Sequence, residues 1–156
     1  MTDIALRWDD EQGCFDIDLD GTDLRAEEGL QTAVILSLFC DRRALSDDEL
    51  PTDETDRRGW WGDALLADGD RIGSRRWLVW PGQKQLAAIA SRVETYDAEA
   101  LAWLRADQVV SRIEVSAEWI RLETLGEVMT AALTATGERI TYRYKHLTSG
   151  VVGNAL

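Results

Sequence analysis

The sequence predicts an α+β fold, and three observations support this prediction. Paired runs typical of strands open the chain, apolar helical patterns fill its middle, and strand alternation returns in its last third. Helices and strands that fall in separate blocks are typical of α+β folds. We expect an N-terminal β-hairpin, central helices and a C-terminal three-stranded antiparallel meander, in a single domain over residues 1–156 that buries about 68–70% of its unfolded surface.

The predicted hairpin lies at the N-terminus, where residues 4–8 and 14–19 flank a polar turn at residues 9–13. The second run alternates apolar and acidic residues, as half-exposed strands do. Residues 30–40 are apolar almost all round, which predicts a helix that is buried on most of its sides. Residues 43–58 are rich in Asp and Glu and predict an exposed acidic loop.

The central helices are predicted between residues 73 and 106. Gly73-Ser74 begins a short turn or helix that Pro81-Gly82 ends, and Trp77 is expected in the core. Four apolar residues share one face of the next helix: Leu86, Ile89, Ala90 and Val93. Asp97 is predicted to cap a further helix, which turns three residues inward: Ala100, Leu101 and Leu104.

The meander is predicted beyond Ala106, where the apolar period changes to two. One set of residues is expected to face inward: Ile113, Val115, Ala117 and Trp119. Leu125-Gly126 predicts a turn into a strand over residues 128–135, and Thr136-Gly137 predicts a turn into a strand over residues 139–146.

The negative charge is concentrated in the first third of the chain. Residues 1–56 hold 17 Asp and Glu against 4 Lys and Arg, a net charge of −13, whereas residues 57–156 hold 12 against 13, a net charge of +1. An acidic protein gains nothing from counterion release at a phosphate backbone, so we expect no nucleic-acid partner and no anionic membrane partner. The two cysteines lack metal spacing and predict reduced thiols in a protein made in a cytoplasm.

One motif match indicates calcium. Asp16, Asp18, Asp20 and Glu27 have the spacing of the acidic ligands in an EF-hand loop, with Gly21 at the position of its sharp turn. An EF-hand needs a helix on both sides, whereas residues 13–15 begin a predicted strand. We therefore predict no metal site, and a calcium-dependent binding module remains an alternative.

The sequence offers little support for catalysis. His146 is the single histidine, no nucleophile elbow accompanies it, and the phosphate-loop, HExxH and CxxC patterns are absent. We therefore predict that the protein is not an enzyme and needs no cofactor.

An arginine- and tryptophan-rich segment is the first candidate interface. Trp and Arg are the residues most enriched at binding hot spots. Alternatively, the tryptophans cap the core while the arginines pair with Asp56 and Asp63. The candidate interface residues of this segment are Arg57, Arg58, Trp60, Trp61 and Asp63.

The last predicted strand is the second candidate interface. Ile140, Tyr142 and Tyr144 are expected to face the core, with Arg143 and Lys145 outward. If this strand is a sheet edge, its free backbone groups can pair with a strand of a partner. Alternatively, the charges only protect the edge from unwanted pairing.

Several segments together resemble the Mu-like phage family of small baseplate proteins, which is related to the wedge sheath-initiator proteins of contractile tails. The Arg-Gly-Trp-Trp-Gly-Asp run is the most specific of them. The matching segments are Leu30-Gln31-Thr32-Ala33-Val34-x-x-Ser37-Leu38-Phe39, Asp41-Arg42-Arg43-Ala44, Asp48-x-Leu50-Pro51, Asp56-Arg57-Arg58-Gly59-Trp60-Trp61-Gly62-Asp63, Gly73-Ser74-Arg75-x-Trp77-Leu78 and Ala100-Leu101-x-Trp103-Leu104.

The resemblance implies a non-catalytic wedge component of a contractile phage, prophage or tailocin. It implies a place in the virion tail baseplate, within a hetero-oligomeric ring around the tail tube. The implied partners are other wedge proteins, tube and hub proteins, and sheath subunits that the C-terminal sheet templates by strand exchange. Some related proteins have been labelled lysozyme-like, so a peptidoglycan hydrolase of the tail is an alternative function.

Overall fold

The chain folds into the predicted α+β architecture. The computed structural model describes residues 3–9, 11–27, 29–51, 54–65, 71–79, 87–121, 123–147 and 152–153. Its strands are β1 (Asp3–Ile4), β2 (Leu6–Asp9), β3 (Cys14–Ile17), β4 (Leu19–Asp20), β5 (Asp23–Leu24), β6 (Ala26–Glu27), β7 (Val110–Arg121), β8 (Thr124–Leu133), β9 (Arg139–Leu147) and β10 (Val152–Gly153). Its helices are α1 (Gln31–Phe39), α2 (Ala87–Ala100) and α3 (Ala102–Ala106), with two 3-10 helices, η1 (Trp61–Ala64) and η2 (Arg75–Val79).

The N-terminal hairpin is confirmed. Strands β2 and β3 pair antiparallel from Leu6 opposite Ile17 to Asp9 opposite Cys14. The turn closes through a hydrogen bond from the Gly13 N–H to the Asp9 carbonyl, and Gly13 has a positive φ of 66°. Short pairings extend this region, since β4 pairs with β5 and β1 pairs with β6.

Helix α1 confirms the buried helix predicted from residues 30–40. Val34, Ile35 and Leu38 are buried in a core cluster that also contains Leu104 of α3 and Tyr144 of β9. The helix therefore packs against the inner face of the C-terminal sheet, as its largely apolar sequence requires.

Helix α2 confirms one prediction and contradicts another. Ile89, Ala90 and Val93 are buried together as expected, while Leu86 lies outside the described residues. The prediction that Asp97 caps a new helix is wrong, because α2 continues through this position to Ala100. Ala100, Leu101 and Leu104 are buried, as predicted. The Asp97 side chain is also buried, and it accepts a hydrogen bond from Ser74.

The C-terminal meander is confirmed, with β7, β8 and β9 antiparallel in sequence order and β10 added beyond β9. The turn predicted at Leu125-Gly126 is wrong. Both residues lie in β8, with Gly126 between Glu118 and Lys145 of its neighbours, and the chain reverses near Glu123, which has a φ of 60°. Leu125 is fully buried opposite Trp119, so the strand extends to include it.

Two clusters of buried apolar residues pack the sheet against the helices. One joins α1 and α3 to the sheet, and the other joins α2 to Ala117 and Leu125. Trp77 of η2 is buried, as predicted, with Ala44 and Leu78. The helices within the described ranges are all too short or too polar to cross a membrane.

Candidate interaction surfaces

The two adjacent tryptophans form an exposed aromatic patch. Trp61 is 76% exposed and Trp60 is 39% exposed, with ring centroids 5.5 Å apart. Gly62 supports the patch, because a Cβ atom there would lie 2.2 Å from the Trp60 ring. The alternative that both rings cap the core is contradicted for Trp61, whose surface is mostly open.

Arg57 and Arg58 hold this segment in place from within the chain. The Arg57 guanidinium donates to the backbone carbonyls of Leu45 and Ser46. Arg58 contacts Asp41 at 2.8 Å and Glu54 at 2.9 Å. Partial burial acts to lower the pKa of Arg58, but the two carboxylates outweigh it and raise the pKa.

The acidic partners expected for these arginines are not the ones that the structure provides. Asp56 accepts a hydrogen bond from the backbone N–H of Arg58, not from a guanidinium. Asp63 accepts a hydrogen bond from the Ile72 N–H at 3.3 Å, and its second oxygen is buried without a hydrogen-bond partner in the described part of the chain. Asp63 therefore ties η1 to residue 72, and we find no contribution from it to the exposed aromatic patch.

Strand β9 has the predicted distribution of side chains. Tyr144 is buried, Ile140 and Tyr142 are half-buried, and Arg143 and Lys145 are exposed. Strand β10 pairs with its C-terminal end, opposite Lys145 and His146. Over residues 139–144 the outer edge of β9 has no strand partner among the described residues.

A buried charge cluster joins η2, α2 and β8. Arg76 donates to Glu127 and lies 3.7 Å from Asp97, and the exposed fractions of the three residues are only 4%, 3% and 0%. The Ser74 hydroxyl donates to Asp97 at 3.2 Å. Burial, and to a lesser extent the negative charge of Glu127, raises the pKa of Asp97 to about 7, against the opposing effects of Arg76 and Ser74.

This cluster was not predicted from the sequence, although local signals were present. Arg76 stands beside the apolar run of residues 77–79, and Glu127 takes an inward position in the alternation of β8. A charged residue on an apolar face predicts a buried partner of opposite charge. The signal does not identify that partner, because Arg76 and Glu127 are 51 residues apart.

Two of the four acids of the calcium motif have other partners within the chain. Asp18 contacts Arg25 at 3.2 Å and Arg7 at 3.6 Å. Glu27 accepts hydrogen bonds from the first N–H groups of α1. Among the residues that the structure describes, no group of acidic, histidine or cysteine side chains is arranged to hold a metal ion.

Comparison with known sequences assigns the family. Residues 30–139 match the family described as Phage protein GP46. The chain belongs to the GP46 family. A relative named baseplate protein gp46, from Escherichia phage Mu, is 42% identical over 153 residues, which cover 97% of this chain and all of the relative. Mu-like prophage FluMu protein gp46 from Haemophilus influenzae is 32% identical over 144 residues, 92% of this chain and 96% of the relative.

These findings confirm the predicted resemblance to Mu-like phage proteins. The GP46 family match begins at the start of α1 and ends at the first residue of β9. It therefore contains the aromatic patch and the buried charge cluster of this GP46 protein. The relative from phage Mu extends the similarity to most of the N-terminal hairpin and β9, because it matches 97% of the chain.

Proposed function

We propose that this GP46 protein is a structural, non-catalytic component of a phage tail baseplate, located in the virion. The observation that carries the proposal is the 42% identity, over the full length of the relative, to a protein named baseplate protein gp46. Within the baseplate, we assign it to the wedge of a contractile tail or tailocin, in a hetero-oligomeric ring around the tail tube.

The aromatic patch, Trp60 and Trp61, is the surface that we assign to the larger wedge proteins and the hub. Exposed aromatic rings are costly in water and provide large contact areas in protein interfaces. Since Arg57 and Arg58 are engaged within the chain, the tryptophans carry the contact and the arginines position the segment. This assignment refines the interface predicted from the sequence.

The edge of β9 is the surface that we assign to sheath subunits. Residues 139–144 present backbone groups that a strand of a sheath protein can pair with. The exposed Arg143 side chain prevents indiscriminate pairing at this edge, because an exposed charge disfavours unspecific strand addition. Such strand exchange would template the first ring of the sheath.

A peptidoglycan hydrolase has weaker support. The carboxylates of Asp97 and Glu127 lie near one another around Arg76, but their exposed fractions of 0% and 3% keep a polysaccharide away. Glycosidases need two carboxyl groups that flank the bond of a bound sugar. Lysis of purified cell wall by the folded protein, abolished by changing one carboxylate, would overturn the non-catalytic assignment.

Replacing Trp61 with alanine tests the proposed function. We expect Trp61→Ala to reduce the yield of assembled particles strongly while changing the free energy of unfolding by less than about 0.5 kcal/mol, because the side chain is 76% exposed. The measurements are particle counts in a phage that depends on this protein and denaturant unfolding of the purified chain.

Trp77→Ala is the matched control, since Trp77 is 4% exposed. It should lower the free energy of unfolding by about 3–5 kcal/mol. Normal particle yield with Trp61→Ala, or equal loss of stability in both variants, would contradict the assignment of the aromatic patch.

A further inference from the structure

The outer face of the C-terminal sheet contains an open depression of about 150 Å³ that the proposed function does not use. Gly126 forms its floor in the central strand β8, between Glu118 of β7 and Lys145 of β9. A cavity of this volume accommodates a group as large as benzene. The depression therefore has room for one aliphatic or aromatic side chain.

Two local irregularities create the depression. The pairing of β7 with β8 shifts between Trp119 and Arg121, which makes Ile120 the bulged residue. Its side chain leans over Gly126, with Cγ2 3.0 Å from the position of an added Cβ, yet remains 49% exposed. A strand glycine often marks close approach by a ligand or backbone, and a bulge redirects a side chain.

The rim carries more positive than negative charge. Arg143 and Lys145 line the depression and are exposed. Of the two acidic residues in its lining, Glu118 is exposed, whereas Glu127 is only 3% exposed. Arg143 and Lys145 have no ion pair with a carboxylate in the described ranges of the chain. The surface thus combines an apolar floor with two basic groups that are available to a partner.

We propose that this depression binds an acidic segment of a partner protein, which inserts one aliphatic or aromatic side chain above Gly126 and places carboxylates against Arg143 and Lys145. The occupant is a different protein, because a second copy would bring its whole net charge of −12, whereas a partner need bring only a short acidic segment. The depression lies on the face of the sheet, whereas strand exchange uses the edge of β9. Arg143 borders both surfaces, so Gly126→Val, which changes only the depression, distinguishes failure at one surface from failure at the other.

Titration of the full-length protein with a defined peptide, followed by NMR, tests the proposal. The probe is a five-residue peptide that alternates three aspartates with two leucines. We expect saturable shifts of the backbone amides of Ile120, Gly126 and Val128, with a Kd no weaker than about 1 mM. A peptide with asparagine in place of aspartate should bind about tenfold more weakly.

Two variants and one control complete the test. Gly126→Val fills the depression, and the exposed Ile120 side chain can move to admit it, so the fold is retained. The double variant Arg143→Glu/Lys145→Glu reverses the charge of the rim. Each should weaken binding at least about tenfold, while Arg139→Glu, an exposed residue at the other end of β9, should not.

Three results would overturn the proposal. They are the absence of localised shifts with about 5 mM peptide, equal binding of the asparagine peptide, and shifts at Gly126 that depend on protein concentration alone. The last result would make a second copy the occupant. Circular dichroism of each variant verifies that a loss of binding does not reflect unfolding.

Discussion

At the scale of single residues, the most unusual environment is that of Asp97. Its carboxylate is fully buried within reach of Arg76, Glu127 and Ser74, so one cation serves two carboxylates. Two ionised carboxylates around one buried guanidinium leave an uncompensated negative charge, which low-dielectric surroundings penalise. This explains why burial raises the pKa of Asp97 to about 7, from an ordinary value of 3.8.

The raised pKa predicts a pH-dependent stability. The folded state holds the Asp97 proton more tightly than the unfolded chain, so this residue makes the free energy of unfolding fall as pH rises from about 4 to about 7. Asp97→Asn remains neutral, so its stability relative to the natural protein should rise by roughly 2–4 kcal/mol over that interval. Urea unfolding at pH 4.5 and 7.5 measures the difference.

Asp47→Asn, at an exposed loop position, provides the control and should show no such change with pH. A constant difference in stability between Asp97→Asn and the natural protein across this range would show that Asp97 is ionised throughout.

At the scale of elements, the start of α1 depends on a side chain from the preceding strand. Leu30 occupies the N-cap position and provides no side-chain hydrogen bond. The Glu27 carboxylate instead accepts hydrogen bonds from the N–H groups of Gln31 at 2.8 Å and Thr32 at 2.9 Å. Thr32 then donates from its hydroxyl to the Ile4 carbonyl, which links the helix to β1. The carboxylate thereby accepts hydrogen bonds from two N–H groups that would otherwise lack partners. Its negative charge also interacts favourably with the positive end of the helix dipole.

Glu27→Ala should therefore lower the free energy of unfolding by about 1–2 kcal/mol, since it removes two charge-assisted hydrogen bonds. Denaturant unfolding measures the loss, and hydrogen exchange should show faster exchange of the first α1 amides. Glu11→Ala, in the exposed hairpin turn, should change stability by less than about 0.5 kcal/mol. Equal effects of the two substitutions would show that the cap contributes nothing.

At the scale of the whole molecule, the excess negative charge of residues 1–56 is partly neutralised by arginines from later in the chain. Arginines of the later two-thirds reach into the acidic third, since Arg58 pairs with Asp41 and Glu54, and Arg75 pairs with Asp48. Arg75 also contacts Glu99 of α2, which fastens the acidic loop to the helices. Other exposed acids of this third have no such arginine, and two of them, Asp20 and Asp23, face each other across β4 and β5. Charge complementarity favours contact of this acidic pair with a basic surface of a neighbouring subunit.

Removing Arg75 tests whether the acidic loop is fastened as described. Arg75→Ala should lower the free energy of unfolding by about 2 kcal/mol, because the side chain is 12% exposed and its loss leaves Asp48 without a cation. Limited proteolysis should then cut within residues 43–58 faster than in the natural protein. Arg25→Ala is the control. The ion pair between Arg25 and Asp18 is open to solvent, since the Arg25 side chain is 54% exposed, so this pair should contribute less than about 0.5 kcal/mol to stability. Unchanged proteolysis in Arg75→Ala would contradict this role.

The sequence by itself determined the features that depend on local patterns. The alternation of apolar and polar residues predicted the hairpin and the meander, and the apolar run from Leu30 predicted α1. These features follow from the side-chain periods of strands and helices, which neighbouring residues set. The Arg-Gly-Trp-Trp-Gly-Asp run also identified the Mu-like relationship, because it is a specific local motif.

Only the tertiary structure decided which distant groups meet. Asp97 has a side chain suited to capping a helix. It lies within α2 instead, where its carboxylate contacts the buried side chains of Arg76 and Ser74. Glycine is common in turns, but Gly126 lies in β8, because the neighbouring Leu125 is buried on the inner face of the strand. The bulged residue Ile120 leans over Gly126. In each case burial and long-range pairing outweigh a local conformational preference of about 1 kcal/mol. Which side chains are buried or paired is decided only when the chain has folded.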